Sequence, residues 1–203
     1  MIDDDRLPKM VVYDVKQQFD IYQYSGDGDY TRYYQKLKKF IDEPVVREIV
    51  GSISVPDVFK LHSGLVRYNG ELMFTISGFL KQGVKDNRLG YVPSKGLLEG
   101  EDRKKDYSDE LDALKMDYFR KFIALTKEKG IELVVVFSPE YNTPFASDFQ
   151  PVRELCEAEG IPVMDYFSES SFQEAKYFAD HCHLNEQGAM EFTKVLLSDL
   201  RLD

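Results

Sequence analysis

Apolar positions along the chain follow two periodicities, and these divide it into strands and helices. Residues 131–137, IELVVVF, form an almost wholly apolar run rich in β-branched side chains. Such a run reads as a strand buried on both faces, as in a parallel sheet. The preceding stretch, 109–129, puts Leu111, Leu114, Tyr118, Phe119, Phe122, Ile123 and Leu125 on one helical stripe, and Gly130 follows as its stop. A turn-forming loop, SPEYNTP, leads to a second helix over 149–159, with Val152, Leu155 and Cys156 on one side and Gly160 at its end. IPVMD, 161–165, is the next expected strand. A last helix, 186–200, turns Ala189, Phe192, Val195, Leu196 and Leu200 to the core, with Asn185 placed as N-cap. Helix, strand, helix, strand with short connections predicts parallel α/β architecture.

The N-terminal half is less regular. KMVVYDV, 9–15, reads as another buried strand, and residues 31–50 as a helix with Tyr34, Leu37 and Phe40 on its stripe. Residues 57–106 mix glycines and aromatics with short apolar pieces such as LMFTISGFL. They are expected to form an irregular insertion, with a hairpin or short helix, over the sheet of a single domain spanning 1–203.

Composition narrows the possible partners. The 203 residues carry a net charge of −10, and the Lys and Arg residues are interleaved with acids, as in EGEDRKKDYSDE. Phosphate binding wants clustered cations, so nucleic acid is not an expected partner. No apolar run approaches the roughly 18 residues of a membrane span. MIDDDRLPK is too acidic and polar for a signal peptide. The two cysteines, Cys156 and Cys182, lack CxxC spacing, so neither a disulfide framework nor a structural zinc site is expected.

The chemistry concentrates in residues 178–189, FADHCHLNEQGA. This loop leaves the carboxyl end of the 161–165 strand, where open α/β sheets gather their ligands. Asp180 and His183 are three apart, directly before a helix N-cap. That spacing can bring the carboxylate to one imidazole nitrogen and leave the other as a general base. Two other readings stand beside this one. The pair can simply hydrogen-bond the loop and help cap the helix. Or Asp180, His181, Cys182 and His183 can bind a metal. Adjacent residues rarely point at one ion, and the only other histidine is the distant His62, so no metal and no cofactor are expected.

YFADHCHLNEQGAMEFTKVL resembles the last block of SGNH (GDSL-like) hydrolases, an Asp-x-x-His followed by a Leu-Asn turn, a Gly-Ala pair and a closing amphipathic helix. GIELVVVFSPEYN and GIPVMDY resemble the two strands that lead into it. The resemblance covers about 109–200, and extends more weakly to LPKMVVYDV and RLGYVPSKG. It implies a three-layer, flavodoxin-like parallel sheet, with Asp180 as acid and His183 as base of a serine esterase. The implied substrates are small acyl esters, including O-acetyl groups on carbohydrate.

The family's serine block, with its Gly-Asp-Ser turn, is not found. Ser52 in REIVGSISVP is the nearest candidate, although EPVVREIV fits an amphipathic helix equally well; Ser25 in YSGDGD reads as loop. The expectation is therefore a scaffold incomplete on its N-terminal side, or one that has lost catalysis. An exposed edge at the 10–15 strand would then invite self-association. The alternative is a non-catalytic binding or assembly protein on the same scaffold, with the aromatic-rich 57–106 segment as its contact surface. The compartment is left open. An extracytoplasmic site follows only if a longer parent protein is membrane-anchored, as relatives of this kind often are.

Overall fold

The computed structural model describes residues 7–24, 37–68, 94, 96–98 and 105–202. The chain divides into two compact units, 1–25 with 92–203, and 26–91.

The larger unit is mixed α/β. Strands β1 (Met10–Asp14), β4 (Glu132–Phe137) and β5 (Val163–Asp165) form a parallel sheet in the order β1-β4-β5. Its register runs from Met10 opposite Glu132 to Asp14 opposite Val136, and from Val135 opposite Val163 to Phe137 opposite Asp165. Side chains alternate across a strand. Leu133, Val135 and Phe137 of β4 therefore enter one core and Val134 and Val136 the other. The first core is closed by helices α4 (Ala113–Glu128) and α5 (Gln150–Glu159), through Met116, Phe119, Ile123, Val152 and Cys156. The second is closed by α6 (Glu186–Asp199), through Phe192, Val195, Leu196 and Leu200 packed on Tyr166. Burial of β4 on both faces is thus what its unbroken apolar run anticipated. Gly130 (φ 66°) and Gly160 (φ 68°) adopt the left-handed conformation that ends α4 and α5.

The expected helix over 109–129 begins later. Tyr107–Leu111 is instead strand β3, antiparallel to β2 (Tyr22–Tyr24). Asp112 breaks the segment, because its carboxylate accepts from the amides of Leu114 and Lys115 and so caps α4. The buried stripe of α4 is Met116, Phe119, Ile123 and Thr126, while Leu111, Leu114 and Leu125 are exposed.

In the smaller unit, the expected 31–50 helix is corrected over its described part, 37–50. A single 3-10 turn, Lys38–Phe40, precedes α1 (Pro44–Ile53), α2 (Val55–Leu61) and α3 (Gly64–Arg67). Pro44 sits in the first turn of α1, where its missing N–H costs nothing, and it bars a helix running through from the N-terminal side. Among the described residues, Ile41, Val50 and Leu61 form the buried apolar cluster of this unit, whereas Phe40 is exposed. Tyr34 lies outside the described residues, as does most of the 57–106 insertion; its described start is helical. Among the described residues, no helix is long and apolar enough to cross a membrane.

Candidate active site

Two loops meet beyond the carboxyl ends of β4 and β5. The first, 138–142, leaves β4. The second leaves β5 and runs through the 3-10 turns Ser170–Phe172 and Ala175–Tyr177 before it reaches α6. Tyr141 and His181 join them: the Tyr141 amide donates to the His181 carbonyl at 2.9 Å, and His181 Nδ1 lies 3.2 Å from the Tyr141 carbonyl. A carbonyl only accepts, so His181 Nδ1 carries a proton. His181 is thereby turned towards Tyr141, and its Nε2 has no partner among the described residues.

The segment 178–184 is a tight reversal, closed by a bridge between Phe178 and Leu184 and by the Ala179 amide donating to the His183 carbonyl at 2.8 Å. Asp180 holds the turn from inside. Its Oδ1 accepts from the amides of Cys182 and His183, each at 2.9 Å. Asp favours this local arrangement because its short carboxylate reaches the backbone just ahead of it. The same carboxylate then meets the ring three residues on. His183 Nδ1 stands 2.9 Å from Oδ1 and 2.8 Å from Oδ2. The Asp-x-x-His spacing is therefore a turn geometry, in which the amides that fix the carboxylate belong to the residues that carry the imidazole.

An ionised carboxylate only accepts, so the Nδ1 proton lies between the two groups. The Nε2 lone pair of the neutral ring is left to act as a base. Both side chains face solvent, His183 at 69% exposure and Asp180 at 55%. Partial burial pushes the Asp180 carboxyl upward in pKa. Hydrogen bonds from the Cys182 amide, the His183 imidazole and the Cys182 thiol outweigh it and hold the group below its ordinary value. Asp180 thus stays ionised beside the ring it orients.

Asn185 sets where α6 begins. Its side chain accepts from the Gly188 amide at 3.0 Å and donates to the Lys176 carbonyl at 2.7 Å, tying the helix start to the loop. Gly188 lets the first turn of α6 press on that loop: a Cβ there would lie 2.1 Å from the Tyr177 carbonyl oxygen.

Charged groups that sequence reasoning missed occupy the ends of β1 and β4. Lys16 Nζ donates to Ser138 Oγ at 2.6 Å, and lies 3.5 Å from Glu140 Oε1 and 3.9 Å from Asp14 Oδ2. The Ser138 hydroxyl donates to Asp14 Oδ2 at 2.9 Å. Glu140 has a fully buried side chain. Nearby, Asp20 accepts from the Tyr13 hydroxyl at 2.6 Å and the Lys16 amide at 2.7 Å. Burial nonetheless raises its pKa. The available signal was position, since Asp14 ends β1, Lys16 and Asp20 follow it, and Ser138 and Glu140 follow β4.

Ser52 and Ser25 are the serines the sequence offers as nucleophiles. Ser52 lies on α1, exposed, with its hydroxyl donating to the Ile49 carbonyl at 2.8 Å. Ser25 is outside the described residues. Among the described residues, His183 Nδ1 is within hydrogen-bonding distance of Asp180 and of the Cys182 thiol, and no serine bonds the ring. Comparison of the chain with protein-family models, curated proteins and solved structures finds no match.

Proposed function

We propose that residues 180–183 are the acid–base half of an esterase site on an SGNH-like, flavodoxin-type α/β scaffold. His183 is the base and Asp180 orients it. One observation carries this reading: both Asp180 oxygens lie within 2.9 Å of His183 Nδ1, leaving Nε2 at an exposed rim beyond the strand ends. Parallel order β1-β4-β5, a long β5 loop and a closing helix support it. The resemblance supplies the substrate class, small acyl esters, O-acetyl groups on carbohydrate among them. The family's serine block is not found in the chain, and among the described residues no serine bonds the His183 ring, so the scaffold lacks its nucleophile or has lost catalysis.

An imidazole can itself attack an activated ester, so the base half is testable alone. The reading expects hydrolysis of p-nitrophenyl acetate in the presence of a chelator, lost in His183→Ala and reduced in Asp180→Asn. Equal rates in wild type and His183→Ala, with both folded, overturn it. That outcome favours the second reading, a non-catalytic binding protein. Its own support is the run of exposed apolar side chains in the smaller unit, including Phe59 at 73% and Leu65 at 87% exposure.

A further inference from the structure

We propose that Asp180, Cys182 and His183 together form a binding site for a borderline-soft divalent cation, with Zn²⁺ the fitting ion and water completing its shell. Sequence spacing argues against convergence of neighbouring residues on one ion, but the turn produces it. Cys182 Sγ lies 3.4 Å from Asp180 Oδ1 and 3.5 Å from His183 Nδ1, and all three donor atoms fall within 4.8 Å of one another. Zinc bonds of about 2.0–2.3 Å place neighbouring ligands of a tetrahedron about 3.4–3.6 Å apart. Both sulfur distances already match that spacing. Only the 2.8–2.9 Å contact between carboxylate and ring is shorter, because a proton now sits in it. Replacing that proton by the cation asks those two atoms to part by roughly 0.5 Å.

The donor set is also selective. Carboxylate, thiolate and imidazole suit zinc, whereas magnesium and calcium want oxygen alone. The Cys182 and His183 amides hold the Asp180 carboxylate in place before any ion arrives. His181 is not part of the set, because its Nδ1 is directed to the Tyr141 carbonyl. Binding releases the Cys182 thiol proton to solvent, while the neutral His183 ring moves its proton from Nδ1 to Nε2 and ligates through Nδ1. The ion then occupies Nδ1 and the orienting carboxylate, and leaves Nε2 protonated, so the lone pair that the esterase reading uses as base is gone. Occupancy would therefore silence that activity reversibly; this consequence rests on the esterase reading, while the binding itself does not.

The test uses the full chain, stripped with chelator and dialysed, and titrated with Co²⁺ as a coloured stand-in for Zn²⁺. The expected result is a one-to-one complex with a near-ultraviolet thiolate-to-cobalt band, bleached by one equivalent of Zn²⁺. Cys182→Ser should lose the band and weaken Zn²⁺ binding at least tenfold, while His181→Gln keeps both. No band in the wild type, or unchanged affinity in Cys182→Ser, overturns the proposal. Zinc-edge X-ray absorption of the unmodified protein needs no variant: one sulfur neighbour supports the site, and a shell of oxygen and nitrogen alone overturns it. Either result is independent of ester turnover.

Discussion

Gly188→Ala is the substitution whose effect the geometry fixes most closely. The new Cβ would lie 2.1 Å from the Tyr177 carbonyl oxygen, 2.9 Å from its carbon and 3.0 Å from Leu184 Cδ2. The first of these falls roughly 1.4 Å inside the separation of about 3.5 Å at which non-bonded atoms rest. Two of the three obstacles are backbone, so no rotamer relieves them. Either α6 moves out or the 175–178 turn moves away. That motion strains the Asn185 amide bond to Tyr177, now 2.9 Å, and the Asn185 cap on Gly188, now 3.0 Å. Overpacking costs about 1–3 kcal/mol, and a weakened hydrogen bond about 1 kcal/mol. Alanine returns about 0.5–1 kcal/mol of helix propensity. The net loss is about 1–3.5 kcal/mol, a drop of roughly 2–14 °C in the transition of this unit. Gly51→Ala is the control, because this α1 residue's Cβ would meet Val58 Cγ2 of α2 at an ordinary 3.6 Å. It should be neutral or stabilising by up to about 1 kcal/mol. Thermal unfolding by circular dichroism checks both. A Gly188→Ala midpoint within about 1 °C of wild type would refute the packing described for the loop and helix.

Asn185→Ala should cost about 2–3 kcal/mol, since it removes the cap and strands the Lys176 carbonyl; Asn185→Asp, which keeps the cap acceptor but not the donor, should fall between, read from urea midpoints. Lys16→Met leaves the Glu140 side chain buried without this cation and should cost about 2–4 kcal/mol. Adding Glu140→Gln should recover part of that loss in a double-mutant cycle, and simple additivity would contradict the pairing. Asp20 gives a pH signature. Burial raises its folded pKa above the unfolded value of about 3.9, so the native state binds the proton more tightly and its relative stability grows as pH falls through the folded value. The stability of wild type minus that of Asp20→Asn should therefore increase from neutral pH down to about 4 and then level off; a flat difference would contradict the burial.

The parts legible in the sequence were those where one local signal dominated. The β-branched run at 132–137 reads as a doubly buried strand and is one, and Gly130, Gly160 and Asn185 stand where the helices end or begin. The start of α4 was misjudged because Leu111 fits both a helical stripe and an antiparallel strand. Pairing with β2 and the cap at Asp112 decide it, and neither is a periodic signal. Pro44 similarly breaks a helix that the apolar spacing alone would carry through. Within the site, Asp180 and His183 were readable because three residues suffice for the turn that joins them. The Lys16, Ser138 and Glu140 cluster was not, since it joins residues more than a hundred positions apart. Convergence of Cys182 with this pair depends on the turn's exact backbone course, which spacing does not reveal.

The central claim is that Asp180 fixes the tautomer of His183. Long-range ¹H–¹⁵N correlation spectra of the chelator-treated protein, above the titration of the ring, test it directly. The account predicts that neutral His183 carries its proton on Nδ1, and that the solution-favoured Nε2–H form takes over in Asp180→Ala. A wild-type His183 already protonated on Nε2, and unmoved by loss of the carboxylate, would contradict it.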